Sequence, residues 1–292
     1  MTENKLPVSI IISALNEEHR IADTIISAQK NNPSEIIVVE GGSTDKTVEV
    51  AKGLTPNVYS TENFGLGYKR AYGVKMASQK YILTLDADQI LEDGALEKMI
   101  EELEDNNFVG IQAGLRGHEH ETYWEKGMNY NISLTHSKPK ESKMIGTPAL
   151  FRADIIKENS FNENISGSCD DTDLCYRLTQ KGYKLGISTA ICFQKHRSTF
   201  ESTVKKFMWY GEGDSEFVRI HPEKFWDLYT HPIRNYMIKR SITAIKNFDL
   251  QYIPYFTLIG MVRHYGFYKN KVKFLLGNKL DDRTSKRNDL NY

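Results

Sequence analysis

The run Tyr81-Ile82-Leu83-Thr84-Leu85-Asp86-Ala87-Asp88 constrains the fold most: β-branched, aromatic and aliphatic side chains without charge, ending in two carboxylates. An apolar run of this kind reads as a strand buried on both faces, the pattern of a parallel sheet. The acids then fall at its carboxyl end, the edge of an open α/β sheet where ligands bind. Residues two apart on a strand point the same way, so Asp86 and Asp88 are expected to converge as the chain leaves the sheet. Like charges so close repel. A divalent cation removes the repulsion, and Mg²⁺ or Mn²⁺ held by one or two carboxylates completes its shell with phosphate oxygens and water. The alternative is an exposed Asp-x-Asp turn that caps the next segment.

The segments before this strand repeat its logic. Residues 8–15 form a first apolar run, broken by Asn16, Glu17 and Glu18. Ile21, Ile25 and Ala28 follow at helical spacing. Glu35-Ile36-Ile37-Val38-Val39 ends in another acid, Glu40, and Gly41-Gly42-Ser43-Thr44-Asp45 leads to a helix over 46–52 that Gly53 would end. Residues 58–60 suit a short third strand, and a glycine-rich turn opens a helix through Lys69, Arg70, Ala71, Val74 and Ala77. Acids at the carboxyl end of successive βα units point to a nucleotide-binding half-sheet. A generic doubly wound domain with acidic caps is the plainer alternative.

This ordered set resembles the family 2 glycosyltransferases of the GT-A fold, which show Pro-x-Tyr-Asn-Glu, Val-Asp-Asp-Gly-Ser-Thr-Asp-x-Thr and Asp-x-Asp at similar separations. Here the counterparts are Ser-Ala-Leu-Asn16-Glu17, Val-Val-Glu40-Gly41-Gly42-Ser43-Thr44-Asp45 and Asp86-Ala87-Asp88. Glu40 and Gly41 depart from the family's two aspartates. The resemblance implies a Rossmann-like, mixed but mostly parallel sheet flanked by helices. It implies a UDP- or GDP-sugar donor contacted by Ala14, Asn16, Glu17, Glu40, Ser43, Asp86, Ala87 and Asp88, with Mn²⁺ or Mg²⁺ on Asp88. Lys69 and Arg70 could reach the diphosphate, or be solvated charges on a helix face.

Later in the chain, Asp170-Asp171-Thr172-Asp173-Leu174 resembles the family's Glu-Asp-x-Asp-Leu, whose matching aspartate is the catalytic base; here that is Asp171. An acidic first turn favoured by the helix dipole would explain the charges alone. Residues 144–152 resemble the strand lining the acceptor side, which makes Gly146, Thr147 and Asp170 candidate acceptor contacts, with Trp124 added from the segment 115–143. That segment reads as loose and polar, with His118 and His120 in solvent. Residues 191–198 resemble the family's next strand and histidine, making His196 a candidate metal ligand ahead of a helix over 200–210. Processive members carry Gln-x-x-Arg-Trp nearby; Lys205-Lys206-Phe207-Met208-Trp209 stands here instead, as expected for transfer of a single sugar.

Composition enters through its distribution. The chain carries 38 basic and 38 acidic side chains, yet residues 233–276 hold eight Lys or Arg against Asp249 alone. That imbalance suits either a helical extension packed on the catalytic domain or a surface that meets anionic lipid or a polyprenyl-phosphate acceptor. The expected layout is a catalytic domain over 1–213, divided near 114 into donor and acceptor halves, a basic helical extension over 214–280 and a polar tail over 281–292. No apolar run reaches the roughly 20 residues of a spanning helix, residues 8–15 are too short for a signal peptide, and three cysteines suit free thiols in a reducing compartment. The location expected is cytoplasmic, peripheral to the membrane if the basic segment meets lipid, in cell-envelope glycan synthesis and without nucleic acid. The function expected is metal-dependent, inverting transfer of one sugar to a glycan or lipid-linked acceptor. The rivals are a catalytically silent nucleotide-binding module and an aspartate-nucleophile phosphatase; in the latter Asp-x-Asp sits on the first strand and is followed two residues on by Thr or Val.

Overall fold

The structure is a computed structural model and describes residues 5–61, 65–118, 121–134, 140–165 and 167–275. Its elements run β1 (Leu6–Ala14), α1 (Ile21–Lys30), β2 (Pro33–Glu40), α2 (Thr47–Leu54), β3 (Val58–Ser60), α3 (Leu66–Met76), β4 (Tyr81–Asp86), β5 (Gln89–Leu91) and α4 (Ala95–Asp105). They continue as β6 (Gly110–Gly117), α5 (Tyr123–Ser133), β7 (Lys140–Ser142), β8 (Ala149–Arg152), α6 (Ala153–Glu158), α7 (Asp170–Gln180) and β9 (Leu185–Gln194). The last helices are α8 (Phe200–Ile220), α9 (Phe225–His231), a π-helical stretch (Pro232–Arg240), α10 (Ser241–Lys246) and α11 (Ile253–Leu275).

Two compact units separate: residues 1–118, 135–166 and 170–195, and residues 119–134, 167–169 and 196–292. The first is built on a nine-stranded sheet in the order β3-β2-β1-β4-β8-β6-β9-β5, with β7 pairing to β9. β3, β2, β1 and β4 run parallel, while β8 is antiparallel to both β4 and β6. β1 continues through α1 to β2 on one side and pairs with β4 on the other, so the strand order reverses between β1 and β4. A crevice at the carboxyl ends of such strands is where ligands bind in open α/β sheets.

Strand alternation builds a core on each face of the sheet. Val8, Ile10 and Ile12 pack with Ile21 and Ile25 of α1 and Leu96, Met99 and Leu103 of α4. Ile11, Ile37, Val39 and Ile82 pack with Val74 of α3 and Leu174 and Leu178 of α7. Helix α3 lies so close to β1 that a Cβ on Gly73 would stand 2.3 Å from Ile11 Cγ2. That approach brings the rest of α3, Lys69 and Arg70 included, down onto the strand ends.

In the second unit α8 and α11 pack through small residues, a Cβ on Gly211 or Gly266 meeting backbone of the other helix. Asp214 takes two hydrogen bonds from Arg263, at 2.6 and 2.8 Å, and Arg263 donates to the Tyr236 hydroxyl at 2.9 Å. Among the described residues no helix is long and apolar enough to cross a membrane.

Several local expectations are corrected. Part of the segment expected to be loose is helix α5: the Thr122 hydroxyl accepts from Glu125 N–H while the Glu125 carboxylate accepts from Thr122 N–H, a capping box that starts it. His118 is exposed as expected, and His120 lies outside the described residues, as does the polar tail. The strand expected over 144–152 begins only at Ala149, after a cis Thr147–Pro148 bond. Helix α2 runs through Gly53, and α8 continues ten residues beyond 210, through the expected boundary at 213.

Candidate active site

Register sets the level of the acids. Ala14 pairs with Glu40 across β1 and β2, and Ser13 pairs with Asp86 across β1 and β4. Glu40 and Asp86 therefore end their strands on either side of β1, one residue apart along it.

The loops leaving β1 and β2 are zipped together. Asn16, at φ +53°, accepts from Thr44 N–H at 2.9 Å through its side-chain oxygen, and its own N–H donates to Ser43 Oγ at 3.1 Å. Glu17 N–H donates to Thr47 Oγ1 at 2.7 Å, and Lys46 N–H donates to the Glu18 carboxylate at 2.9 Å. Glu40 is buried and folds its own loop: Oε2 accepts from Gly42 and Ser43 N–H at 2.9 and 2.7 Å. Asn16, Glu17, Glu40 and Ser43, expected to face a nucleotide, thus first build the rim that would receive it.

Lys69 and Arg70 are not solvated charges; they are 2% and 3% exposed. Lys69 lies along Gly41, where a Cβ would stand 3.0 Å from Nζ, and its ammonium is 3.4 Å from Ala14 O. The missing side chain at position 41 is the space the lysine occupies. Arg70 donates from Nη1 to Asp170 at 2.6 Å and from Nη2 to Asp86 at 2.9 Å, with the Phe161 ring 5.7 Å away. These carboxylates hold the guanidinium charged against the cost of burial. Most of α3 is buried, Lys69 and Arg70 with it, but a basic pair on a helix reads as solvent unless the acids are known to be near.

Asp86 and Asp88 bond to different partners. Asp86 accepts from Arg70 through Oδ1 and from the Thr147 hydroxyl through Oδ2, at 2.7 Å. Its N–H donates to Gln89 Oε1 at 3.0 Å, and Gln89 Nε2 donates to Thr147 O at 3.1 Å. Thr147, expected at the acceptor, anchors Asp86. Asp88, one turn outward, accepts from Gln194 Nε2 at 3.1 Å. Ser13 Oγ, buried at the end of β1, has no hydrogen-bond partner among the described residues. A buried orphan hydroxyl is rare and marks a place for a ligand or water.

Asp170 and Asp171 open α7. Asp170 is spent on Arg70. Asp171 lies over Gly146, where a Cβ would stand 3.1 Å from Oδ2, and its Oδ1 accepts from Thr172 N–H at 2.6 Å. Gly146 N–H in turn donates to Gln112 Oε1 at 2.7 Å, fixing the backbone beneath the carboxylate. Burial first, then the charge of Asp170, pushes the Asp171 carboxyl up to about 7, with Arg70 opposing. Burial also raises the Asp170 carboxyl, against the pull of Arg70. Arg177 locks the approach to α7, donating to Asp173 at 2.8 Å and to the carbonyls of Asn159 and Ser160.

Among the described residues no three His, Cys, Asp or Glu side chains gather as a metal-ligand set. Asp86 is committed through both oxygens, which leaves Asp88 as the carboxylate for a cation. One carboxylate with phosphate oxygens and water fits a cation carried in with a diphosphate, not one caged by protein. His196 and Trp124 belong to the second unit. There His196 is buried and Trp124 packs against Tyr123, Phe200 and Tyr255.

Residues 9–159 match the family model described as glycosyl transferase family 2. An uncharacterized glycosyltransferase of Rickettsia bellii is 28% identical over 195 residues, 62% of this chain and 27% of its own length. Poly-beta-1,6-N-acetyl-D-glucosamine synthase of Staphylococcus epidermidis is 31% identical over 114 residues, 37% of this chain and 28% of its own length. The matched parts are thus little more than a quarter of these relatives. The solved structure of S. aureus TarS 1-349 in complex with UDP-GlcNAc superposes with a TM-score of 0.53 at 13% identity, over 94% of this chain and 93% of that one. That of GalNAc-T7 with UDP, GalNAc and Mn2+ gives 0.53 at 17%, over 67% and 45%. Fold, motif order and family model agree: the chain has the GT-A fold and belongs to glycosyl transferase family 2.

Proposed function

We propose that this chain moves one sugar from a nucleoside-diphosphate sugar to an acceptor hydroxyl with inversion at the anomeric carbon. The observation that carries the reading is Arg70, which ties Asp86 at the end of β4 to Asp170, next to Asp171 at the start of α7. One cation thereby fixes the donor-side acid relative to Asp171, whose carboxyl burial pushes up to about 7.

In the proposed reaction the acceptor oxygen attacks the anomeric carbon as its proton passes to Asp171. The bond from that carbon to the phosphate oxygen breaks, and its electron pair leaves with the diphosphate. A base so placed contributes about 10²–10⁴-fold. Asp88 would hold a divalent cation, Mn²⁺ or Mg²⁺, which when bound stabilises charge on the departing diphosphate. Lys69, Ser13 and the zipped loops would receive the nucleoside. The N-acetylhexosamine names among the relatives and the UDP complexes among the neighbours make UDP-N-acetylhexosamines the first donors to try, with GDP-sugars as the comparison. A lipid-linked acceptor would bring the chain to a membrane surface, and the three buried free thiols suit a reducing, cytoplasmic setting.

The test is thermal-shift and calorimetric binding of UDP, GDP and their sugar conjugates, with and without Mn²⁺, on wild type and Asp88→Ala. Metal-dependent stabilisation by one nucleotide, lost in the variant, is expected. No response to any nucleotide would overturn the donor-site reading and return the phosphatase to contention.

A further inference from the structure

The segment from the π-helical stretch through α10 leaves large aliphatic side chains outside. Tyr236 and Met237 pack inward, yet within α10 only the small Ser241 and Ala244 are buried, at 8% and 0% exposure. The segment's isoleucines face out instead, with Ile238, Ile242 and Ile245 at 51%, 47% and 53% exposure, and Phe248 just beyond them at 91%. A helix of a globular protein places its large aliphatic residues against the core, because each buried one stabilises by about 1.5–3 kcal/mol. Here Ile242 and Ile245 lie on the solvent side of α10, with exposed Ile238 four residues before them and Phe248 in the turn that follows, at φ +60°.

Charge identifies what covers it. Lys239 and Lys246 stand exposed beside the isoleucines, and Arg234 one turn earlier. No Asp or Glu occurs from residue 228 to 248, and Asp249 is the one acid between there and residue 280. Apolar side chains interleaved with cations and almost free of anions suit an interface whose interior is hydrocarbon and whose surface is anionic. A protein partner would need a surface both greasy and acidic, and nothing in the stripe offers the carboxylates that would pair with a second copy's lysines.

We infer that residues 233–248 form a docking surface for an anionic lipid bilayer, with Ile238, Ile242, Ile245 and Phe248 entering the headgroup boundary and Lys239 and Lys246 meeting lipid phosphates. The surface deepens the lipid-linked acceptor reading and rests on it for its purpose, while its chemistry stands on exposure and charge.

The test is sedimentation of the full chain with vesicles of phosphatidylcholine, alone or mixed with phosphatidylglycerol, for wild type, Ile242→Glu/Ile245→Glu and Lys239→Glu/Lys246→Glu. Nucleotide binding and the thermal midpoint are followed on the same samples. Wild type is expected to bind the mixed vesicles and not the neutral ones, weakening as salt is raised, and each double variant to lose about tenfold or more of that affinity. Both variants change side chains on the solvent side and should keep nucleotide binding and midpoint. Absence of wild-type binding to mixed vesicles, or binding that neither variant weakens, overturns the proposal. So does a wild-type dimer that Ile242→Glu/Ile245→Glu dissociates, since the stripe would then cover a second copy. Failure of nucleotide binding with lipid binding intact would strike the catalytic reading and leave this one standing.

Discussion

Arg70 and Asp170, a hundred residues apart in the chain, meet in a buried ion pair of 2.6 Å. The carboxylate is 1% exposed, so neither charge has water to fall back on. Removing one partner of such a pair leaves the other uncompensated, at a cost of about 3–5 kcal/mol, whereas removing both is far cheaper. Arg70→Met should therefore unfold at markedly lower denaturant than wild type, and Arg70→Met/Asp170→Asn should recover much of the loss. A double-mutant cycle by urea unfolding measures the coupling. Additive losses would show that the pair is not a unit.

Asp171→Asn should lower turnover by about 10²–10⁴-fold while leaving nucleotide affinity near wild type. Single-turnover rates and calorimetry together separate the two effects.

The raised Asp171 carboxyl gives two pH effects. As a base it must be ionised, so kcat/KM should climb through about pH 7 and level above it, provided the donor leaves the carboxyl where the free protein holds it. For stability the sign is opposite. A carboxyl at about 7 in the folded chain, against 3.8 ordinarily, keeps a proton that the unfolded chain has released, so stability falls as pH rises from about 4 to about 7. Asn cannot ionise, so Asp171→Asn should melt a few degrees above wild type at about pH 8, with a smaller gap at about pH 5. Identical midpoints at the higher pH would contradict the raised pKa.

The order of strands and the motif acids were legible because strand burial and βα alternation write themselves as apolar runs ending in polar residues. What was not legible is which acid each cation would meet. Arg70 lies on a helix with no marked apolar face, its partners come from β4 and α7, and nothing local announces a pairing across so much chain. Asp86 and Asp88 look equivalent in sequence; the Thr147 hydroxyl and Gln194 amide that separate them arrive from distant parts of the chain. Ile242 and Ile245 sit at helical spacing in α10, so only exposure tells which side faces out.

Ser13→Ala should discriminate a ligand contact from a packing detail. Its hydroxyl is buried without a partner, a state that costs stability, so the alanine variant should be as stable as wild type or slightly more so. If the hydroxyl serves the donor, calorimetry should show nucleotide binding weakened by about fivefold, in line with about 1 kcal/mol for one hydrogen bond. Unchanged affinity would assign the site to water.

Thr147→Val keeps the side-chain shape and removes the bond to Asp86 Oδ2. The carboxylate would then keep Arg70 but lose the hydroxyl, and catalytic rate should fall more than nucleotide affinity. Steady-state kinetics with kcat and KM resolved reads the difference.

The cross-braces between residues 16–18 and 43–47 mean that the edge proposed to receive the nucleoside is braced before anything binds. A ligand arriving there has little loop disorder to quench, so its association should proceed without the large heat-capacity change that accompanies coupled folding. Discrimination among bases then falls to the fixed shape of the edge, with the Lys69 ammonium filling the hollow over Gly41, and not to a loop that moulds itself to each candidate.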